Sequence, residues 1–414
     1  MKKICILTNF SSYFRAYSLN LIAERQIKML LANGYKPKVI VTETFKPEGA
    51  YALPGVELIK VPNVRCHNEW KSDDDPEVVE DSKKLYPALV EALKDVDVVF
   101  THDMLFQASM QKFEIACRDI ARKRDNLRWL LWVHSATSAN NKRQKFPNSF
   151  LVYPNSYDVP RVARAFGYEE PEVKVVPHPI DVCDFFEMDQ RSKDVIEKYN
   201  VLSADAIMTY PLRLDRGKQP EICIKIVDQL KKLGRSVRLI FIDFHSTGGD
   251  KAKYRDELKA MAIDKGLNDF EVIFMSEQHE DFKLECPRNI VKDFMVISNV
   301  FCQPSKSETF SLVAQEAGLC GNFMILNFDF PAMRSIYGGE PIYRKFSSCI
   351  DVYTGEDGST DTTYVGDDYF RDIAGYVTYM LEHDRILSMR TKIRRDHNMK
   401  AVFRKYLEPL IYYG

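Results

Sequence analysis

Residues 205–243 read DAIMTYPLRLDRGKQPEICIKIVDQLKKLGRSVRLIFID. The apolar run at 206–210 has the length and bounds of a buried strand, and a polar loop holding Arg213, Arg216 and Lys218 follows it. A helical period then spans 219–233, and a second apolar run, VRLIFID, fills 237–243. Strand, loop, helix and strand in that order is the repeating unit of a parallel sheet, because parallel strands need a long crossover.

The same alternation continues on both sides. Downstream it predicts helices at 251–265, 287–295 and 311–320, with strands at 271–275, 298–302 and 322–326. Upstream it predicts strands at 3–8, 38–42, 56–61, 97–101, 128–134, 149–153 and 173–177, with helices at 16–33, 77–94 and 106–124. The fold class is therefore α/β, with two doubly wound domains facing a central cleft, where such sheets bind ligands at their carboxyl strand ends. The boundaries fall at 1–180, a linker at 181–204, 205–385, and a closing segment 386–414.

A chain of 414 residues accommodates about two or three domains. With 58 Lys and Arg against 59 Asp and Glu, the net charge of -1 excludes a generally basic polymer binder. The nine cysteines form no CxxC pair and several sit in apolar runs, which points to a reducing, cytoplasmic compartment. No apolar run approaches the ~18 residues of a membrane span. The start, MKKICILTNF, reads as a first strand rather than a signal peptide.

Two stretches carry chemistry. In CQPSKSETFSLVAQEAGLCGNFMILN, residues 302–327, a strand ends in a small polar loop and a helix begins near Phe310. The first turn of that helix, Thr309 to Leu312, offers backbone N–H groups to an anion. Glu308 stands in the loop and Glu316 lies inside the helix. In MTYPLRLDRGKQPE, residues 208–221, Arg213 supplies a planar fork and Lys218 a point charge, both suited to a diphosphate.

Together, PLRLDRGK and PSKSETFSLVAQEA resemble glycosyltransferase family four, of the GT-B fold. That family carries a G-R-L-x-x-x-K-G-like loop and two glutamates separated by seven residues after a P-S pair. The resemblance extends to VVPHPIDVCDFF (175–186), with His178 where Asn is usual, and to FEVIFMSEQ (270–278), with Ser276 where Gly is usual. Residues 386–407 look like the family's final helix, which crosses back to the first domain. The resemblance implies an acceptor-binding first domain and a nucleotide-sugar-binding second domain. It implies retaining transfer, with no metal and no cofactor beyond the nucleotide sugar, a UDP-sugar foremost. Arg213 and Lys218 then hold the diphosphate, Glu308 the sugar and Glu316 the ribose. Thr309, Phe310, Ser311 and Leu312 complete the donor side.

Where the family has E-G-F-G-L, this chain has Glu308-Thr309-Phe310-Ser311-Leu312, so both glycines are replaced. The first loop, TNFSSYFRAYS (8–18), also lacks the family's paired glycines. In WVHSATSAN (132–140), His134 stands where the family has a histidine near the transferred sugar, and the resemblance gives it that catalytic role. His102 and Asp103, in THDM at another strand end, are candidates for the acceptor side.

Residues 112–145 hold nine basic residues against three acidic ones, including Lys142 and Arg143 in the loop after His134. Such a face suits an anionic or hydroxylated acceptor: a saccharide, a lipid-linked sugar, or DNA with hydroxymethylated bases that a viral-type enzyme would modify. A nucleotide-sugar epimerase and a binding module of the same fold are the other readings. The D-x-D at 73–75 sits in a polar loop and reads as a helix start, so no metal site is expected. GxGxxG, HExxH, a Walker loop and G-x-S-x-G are absent.

Overall fold

The computed structural model describes the chain apart from Arg15, 135–144, 246–250, Ser307, Thr309, 347–349, 355–359, Val365 and Gly414. For 350–354, 360–364 and Tyr413 it describes the backbone alone. The chain divides into one unit of Met1–Ile180 with Met399–Gly414 and a second of Asp181–Asn398.

The first unit is a seven-stranded parallel sheet. Its strands are β1 Ile4–Leu7, β2 Lys38–Thr42, β3 Glu57–Val61, β4 Val98–His102, β5 Arg128–Trp132, β6 Ser149–Tyr153 and β7 Val173–Val175. Their spatial order is β3-β2-β1-β4-β5-β6-β7, so the direction of winding reverses between β1 and β4. Side chains alternate along each strand. Cys5 and Leu7 face one core with Val99, Trp129 and Leu131. Ile4 and Ile6 face the other with Val98, Phe100, Leu130 and Trp132.

Helix α1 Ser18–Ala32 covers this second face, and α2 Pro76–Leu93, α3 Gln111–Lys123 and α4 Val159–Phe166 cover the first. The acidic run does start a helix: Asp75 accepts the N–H groups of Glu77 and Val78 at 3.0 and 3.3 Å, with Pro76 in the first turn.

The second unit opens with α5 Val182–Phe185 and α6 Gln190–Lys198, so residues 181–204 form structure counted with it. Six parallel strands follow: β8 Ala206–Arg213, β9 Val237–Phe244, β10 Val272–Phe274, β11 Val300–Gln303, β12 Phe323–Asn327 and β13 Ile342–Arg344. Their order is β10-β9-β8-β11-β12-β13, with the reversal between β8 and β11. The crossovers are α7 Pro220–Lys232, α8 Lys251–Asp264, α9 Arg288–Ile297, α10 Leu312–Leu319 and α11 Pro331–Tyr337. An antiparallel pair, β14 Ile350–Thr354 and β15 Thr360–Tyr364, precedes α12 Asp367–His383 and α13 Arg385–Asp396.

Strand β8 outruns its expected end because Pro211 is tolerated there. Pro211 pairs with Ile242 of β9, and the pairing of β8 with β11 is at Val300 and Met208, three residues before it.

Helix α13 belongs to the second unit, and the chain joins the first only from Met399. Buried Arg394 explains this, since it donates to the Leu202 carbonyl at 2.9 Å. Burial lowers its pKa to about 9. The final residues return Val402, Phe403, Leu407, Leu410 and Ile411 to the core shared with α1. Arg128 there donates to the carbonyls of Leu410 and Ile411 at 3.1 and 3.3 Å, satisfying the helix end. No described helix is long and apolar enough to cross a membrane.

Candidate active site

In the second unit, the loops after β8 and β11 leave the two strands that flank the winding reversal. Side-chain and main-chain bonds join these loops. The Tyr210 hydroxyl donates to the Lys218 carbonyl at 3.1 Å and lies 3.0 Å from Ser305 Oγ. The Lys306 N–H donates to the Gly217 carbonyl at 2.8 Å, and Asn327 Nδ2 donates to the Ser305 carbonyl at 3.0 Å.

This stitching brings together Lys218 and Glu308, whose side chains form an ion pair across 90 residues of sequence. Gln303 Nε2, at the end of β11, donates to the same Glu308 Oε1 at 3.1 Å. Ser311 Oγ donates to Gln303 Oε1 at 2.7 Å and accepts the Ala314 N–H at 3.2 Å. The chain Ser311–Gln303–Glu308–Lys218 is therefore continuous. Glu308 Oε2 meets no hydrogen-bond partner among the described residues.

The lost glycines have a local replacement. Ser311 has φ of 65°, the left-handed region that glycine favours, and its hydroxyl caps α10. Phe310 and Leu312 are exposed, and the carbonyls of Phe310 and Ser311 accept from the Tyr337 hydroxyl at 3.2 and 2.9 Å. Thr309 lies outside the described residues.

The other expected donor residues have partners of their own. Arg213 is held by Asp215, which also binds Lys251. Arg216 pairs with Glu257 at 2.5 Å and lies over the Tyr254 ring. Glu316, on α10, pairs with Arg288 of α9 at 2.7 Å.

A cluster that sequence reasoning missed lies at the ends of β9 and β10. Fully buried Asp243 accepts Ser276 Oγ at 2.6 Å, the Ser276 N–H at 3.0 Å and His245 Nε2 at 2.7 Å. Burial, with Asp243 adding its charge, pushes the nearby Cys286 thiol up to about 12. An aspartate closing the apolar run VRLIFID, two residues before a histidine, was the available signal.

In the first unit, His102 ends β4, His134 follows β5, and His178 follows β7. His102 Nδ1 lies 2.8 Å from His134 Nε2, and His134 Nδ1 lies 3.4 Å from His178 Nε2. Asp103, at φ of 50°, accepts the His134 N–H at 2.8 Å. The structure therefore unites His102, Asp103 and His134, and adds His178. Desolvation keeps these rings neutral: the His102 pKa falls to about 3 and that of His134 to about 2. His178 is also lowered, by burial and then by Arg25.

Among its described residues the basic segment 112–145 is mixed, with Arg122 and Lys123 exposed on α3 and the others held by partners within the protein. Lys112 is buried against Asp81 and Glu77, at 2.5 and 3.3 Å. Arg118 pairs with buried Glu114, Arg124 donates to the carbonyls of Leu93 and Val96, and Lys145 pairs with Glu172. With Arg128 bound to the closing helix, these charges are satisfied internally. Lys142 and Arg143 lie outside the described residues.

Residues 192–336 match the family model described as glycosyl transferases group 1. This segment contains Arg213, Lys218, Glu308 and Glu316, and the match supports a glycosyltransferase enzyme. No curated protein matches the chain. Among solved structures, it is similar to a glycosyltransferase from Rickettsia africae, at 13% identity and a TM-score of 0.35, over 100% of this chain and 99% of that one. It is also similar to Anabaena HepE in complex with UDP-glucose, at 14% identity and a TM-score of 0.35, over 99% of each chain.

Proposed function

We propose that the chain transfers a sugar from a nucleoside diphosphate sugar, a UDP-sugar first among candidates, to an acceptor hydroxyl with retention of anomeric configuration. The observation that carries this reading is the convergence of Lys218 and Glu308 beside the winding reversal of the second sheet, inside the segment that matches the family.

Lys218 and Arg213 hold the diphosphate and stabilise the charge that gathers as it leaves. Leu312 opens α10 behind its cap Ser311, and its N–H lies where an anion is favoured. Glu308 turns its free Oε2 to the sugar hydroxyls, and Glu316 takes the ribose. The bond between the anomeric carbon and the phosphate oxygen breaks. A bond to the acceptor oxygen forms on the same face, and the acceptor proton passes to the departing diphosphate.

Calorimetric titration with UDP and a panel of nucleotide sugars identifies the donor. Lys218→Ala and Glu308→Ala are expected to abolish transfer while the near-ultraviolet spectrum stays that of the folded protein. Full activity in both variants would overturn the reading.

A further inference from the structure

His134 has no ring nitrogen left for a ligand. Its Nε2 faces His102 Nδ1 at 2.8 Å and its Nδ1 faces His178 Nε2 at 3.4 Å. The rings run in series with nearly parallel planes, 16° and 28° apart, and centroids 5.1 Å apart in both pairs. The row has one sealed end, where His102 Nε2 is buried and meets no hydrogen-bond partner among the described residues.

That sealed end sets the direction of both bonds. A neutral imidazole carries one N–H donor and one bare acceptor nitrogen. A buried N–H without an acceptor is rarer than an under-used acceptor, so His102 keeps its proton on Nδ1 and leaves Nε2 bare. It then donates to His134 Nε2. His134 in turn holds its proton on Nδ1 and donates to His178 Nε2, which leaves the His178 proton on Nδ1. The 3.4 Å link is the longer and weaker of the two.

His178 is partly exposed, and the structure records no partner for its Nδ1 among the described residues. Its backbone is restrained, since it lies between Pro177 and Pro179, and a residue before proline has little conformational freedom. Two charged groups stand near the row. Arg25 donates to the Pro179 carbonyl at 2.7 Å, and Asp103 binds the His134 N–H and Gln107 Nε2.

We infer that His178, rather than His134, meets the ligand, and that it does so as an Nδ1–H donor whose tautomer is set by His134 and His102. His134 and His102 are thus positioning residues. The matching ligand group is an oxygen acceptor, the hydroxyl or phosphate oxygen of a sugar-bearing molecule. That last identification rests on the glycosyl-transfer reading, whereas the tautomer does not.

The test is long-range nitrogen–proton correlation spectroscopy on the full-length protein with nitrogen-15-labelled histidine, assigned by single substitutions. All three rings are expected as neutral Nδ1–H tautomers at pH 7. An Nε2–H tautomer or an imidazolium at His178 would overturn the inference. In His134→Phe, Nε2–H is expected to become populated at His178, and an unchanged His178 tautomer would refute the positioning role. Once the donor is known, His178→Asn, which keeps a side-chain donor, should retain kcat/KM within about threefold. His178→Phe should lose about tenfold or more, the loss expected for one hydrogen bond to a ligand oxygen. Wild-type kcat/KM in the phenylalanine variant would count against ligand contact. An enzyme inactive with every donor, yet with His178 reading Nδ1–H, would fail the functional reading and leave the tautomer assignment standing.

Discussion

The ammonium of Lys218 and the carboxylate of Glu308 are ion-pair partners, with side-chain exposures of 21% and 18%. In the proposed complex Lys218 must serve the diphosphate, so donor binding redistributes this pair.

Removing the negative partner should therefore release the cation for phosphate. Glu308→Gln is expected to bind UDP at least as tightly as the native protein, because Lys218 no longer has to leave an ion pair. The same variant should lose transfer by about a hundredfold or more, the scale of losing one charge-assisted contact to the reacting sugar. Lys218→Ala should weaken UDP binding by about tenfold, or ~1.4 kcal/mol. Calorimetry on the two variants separates these effects, and equal loss of UDP affinity in both would contradict this account.

Ser311 combines a left-handed backbone with a cap, so two substitutions there should differ in a set order. Ser311→Gly relieves the backbone strain while losing the hydroxyl, and its cost should be a few tenths of a kcal/mol. Ser311→Ala keeps the strain and loses both the cap and the bond to Gln303, and should cost about 1–2 kcal/mol. Urea unfolding at pH 7 measures both. A glycine variant less stable than the alanine variant would contradict the assignment.

Gln219 presents the opposite case. It has φ of 50°, is buried, and both polar atoms of its amide lack a partner among the described residues. Neither cost is offset by a visible bond. Gln219→Gly should therefore raise stability by about 1 kcal/mol, or roughly 2–4 °C in the melting temperature of a domain of this size. A lower melting temperature would show that the packing of the side chain outweighs its strain.

The alternation of strands and helices was legible because apolar runs and helical periods are local. The run 206–210 and the helix at 219–233 needed no partner to be read. Helix α5 spans one turn and β13 three residues, too short to display a period, so 181–204 read as a linker and β13 went unseen. At the site, Lys218 and Glu308 were visible as residue types in a recognisable spacing. Gln303 and His178 acquire meaning only through contacts made by folding. Gln303 reaches Glu308 because β11 ends beside its own loop, and His178 reaches His134 because β5 and β7 flank β6 in one sheet. The internal pairing of Lys112 and Lys145 was hidden for the same reason, since Asp81, Glu77 and Glu172 come from other elements.

The imidazole row also makes the first unit sensitive to acid. In the unfolded chain these rings bind a proton near pH 6.5, whereas in the fold His102 holds off to about 3 and His134 to about 2. Between those values the unfolded state carries more protons, so lowering the pH favours unfolding. The stability is fully present above about 6.5 and is lost progressively as the pH falls toward 3. Each histidine contributes a slope of at most ~1.4 kcal/mol per pH unit. Urea unfolding between pH 7 and 5.5, followed by tryptophan fluorescence from Trp129 and Trp132 in the first unit, should show stability falling with pH. In this window carboxylates remain largely ionised in both states. His102→Leu removes one such ring and should flatten the slope even if its stability at pH 7 is lower. A slope as steep as that of the native protein would show that the acid sensitivity arises elsewhere.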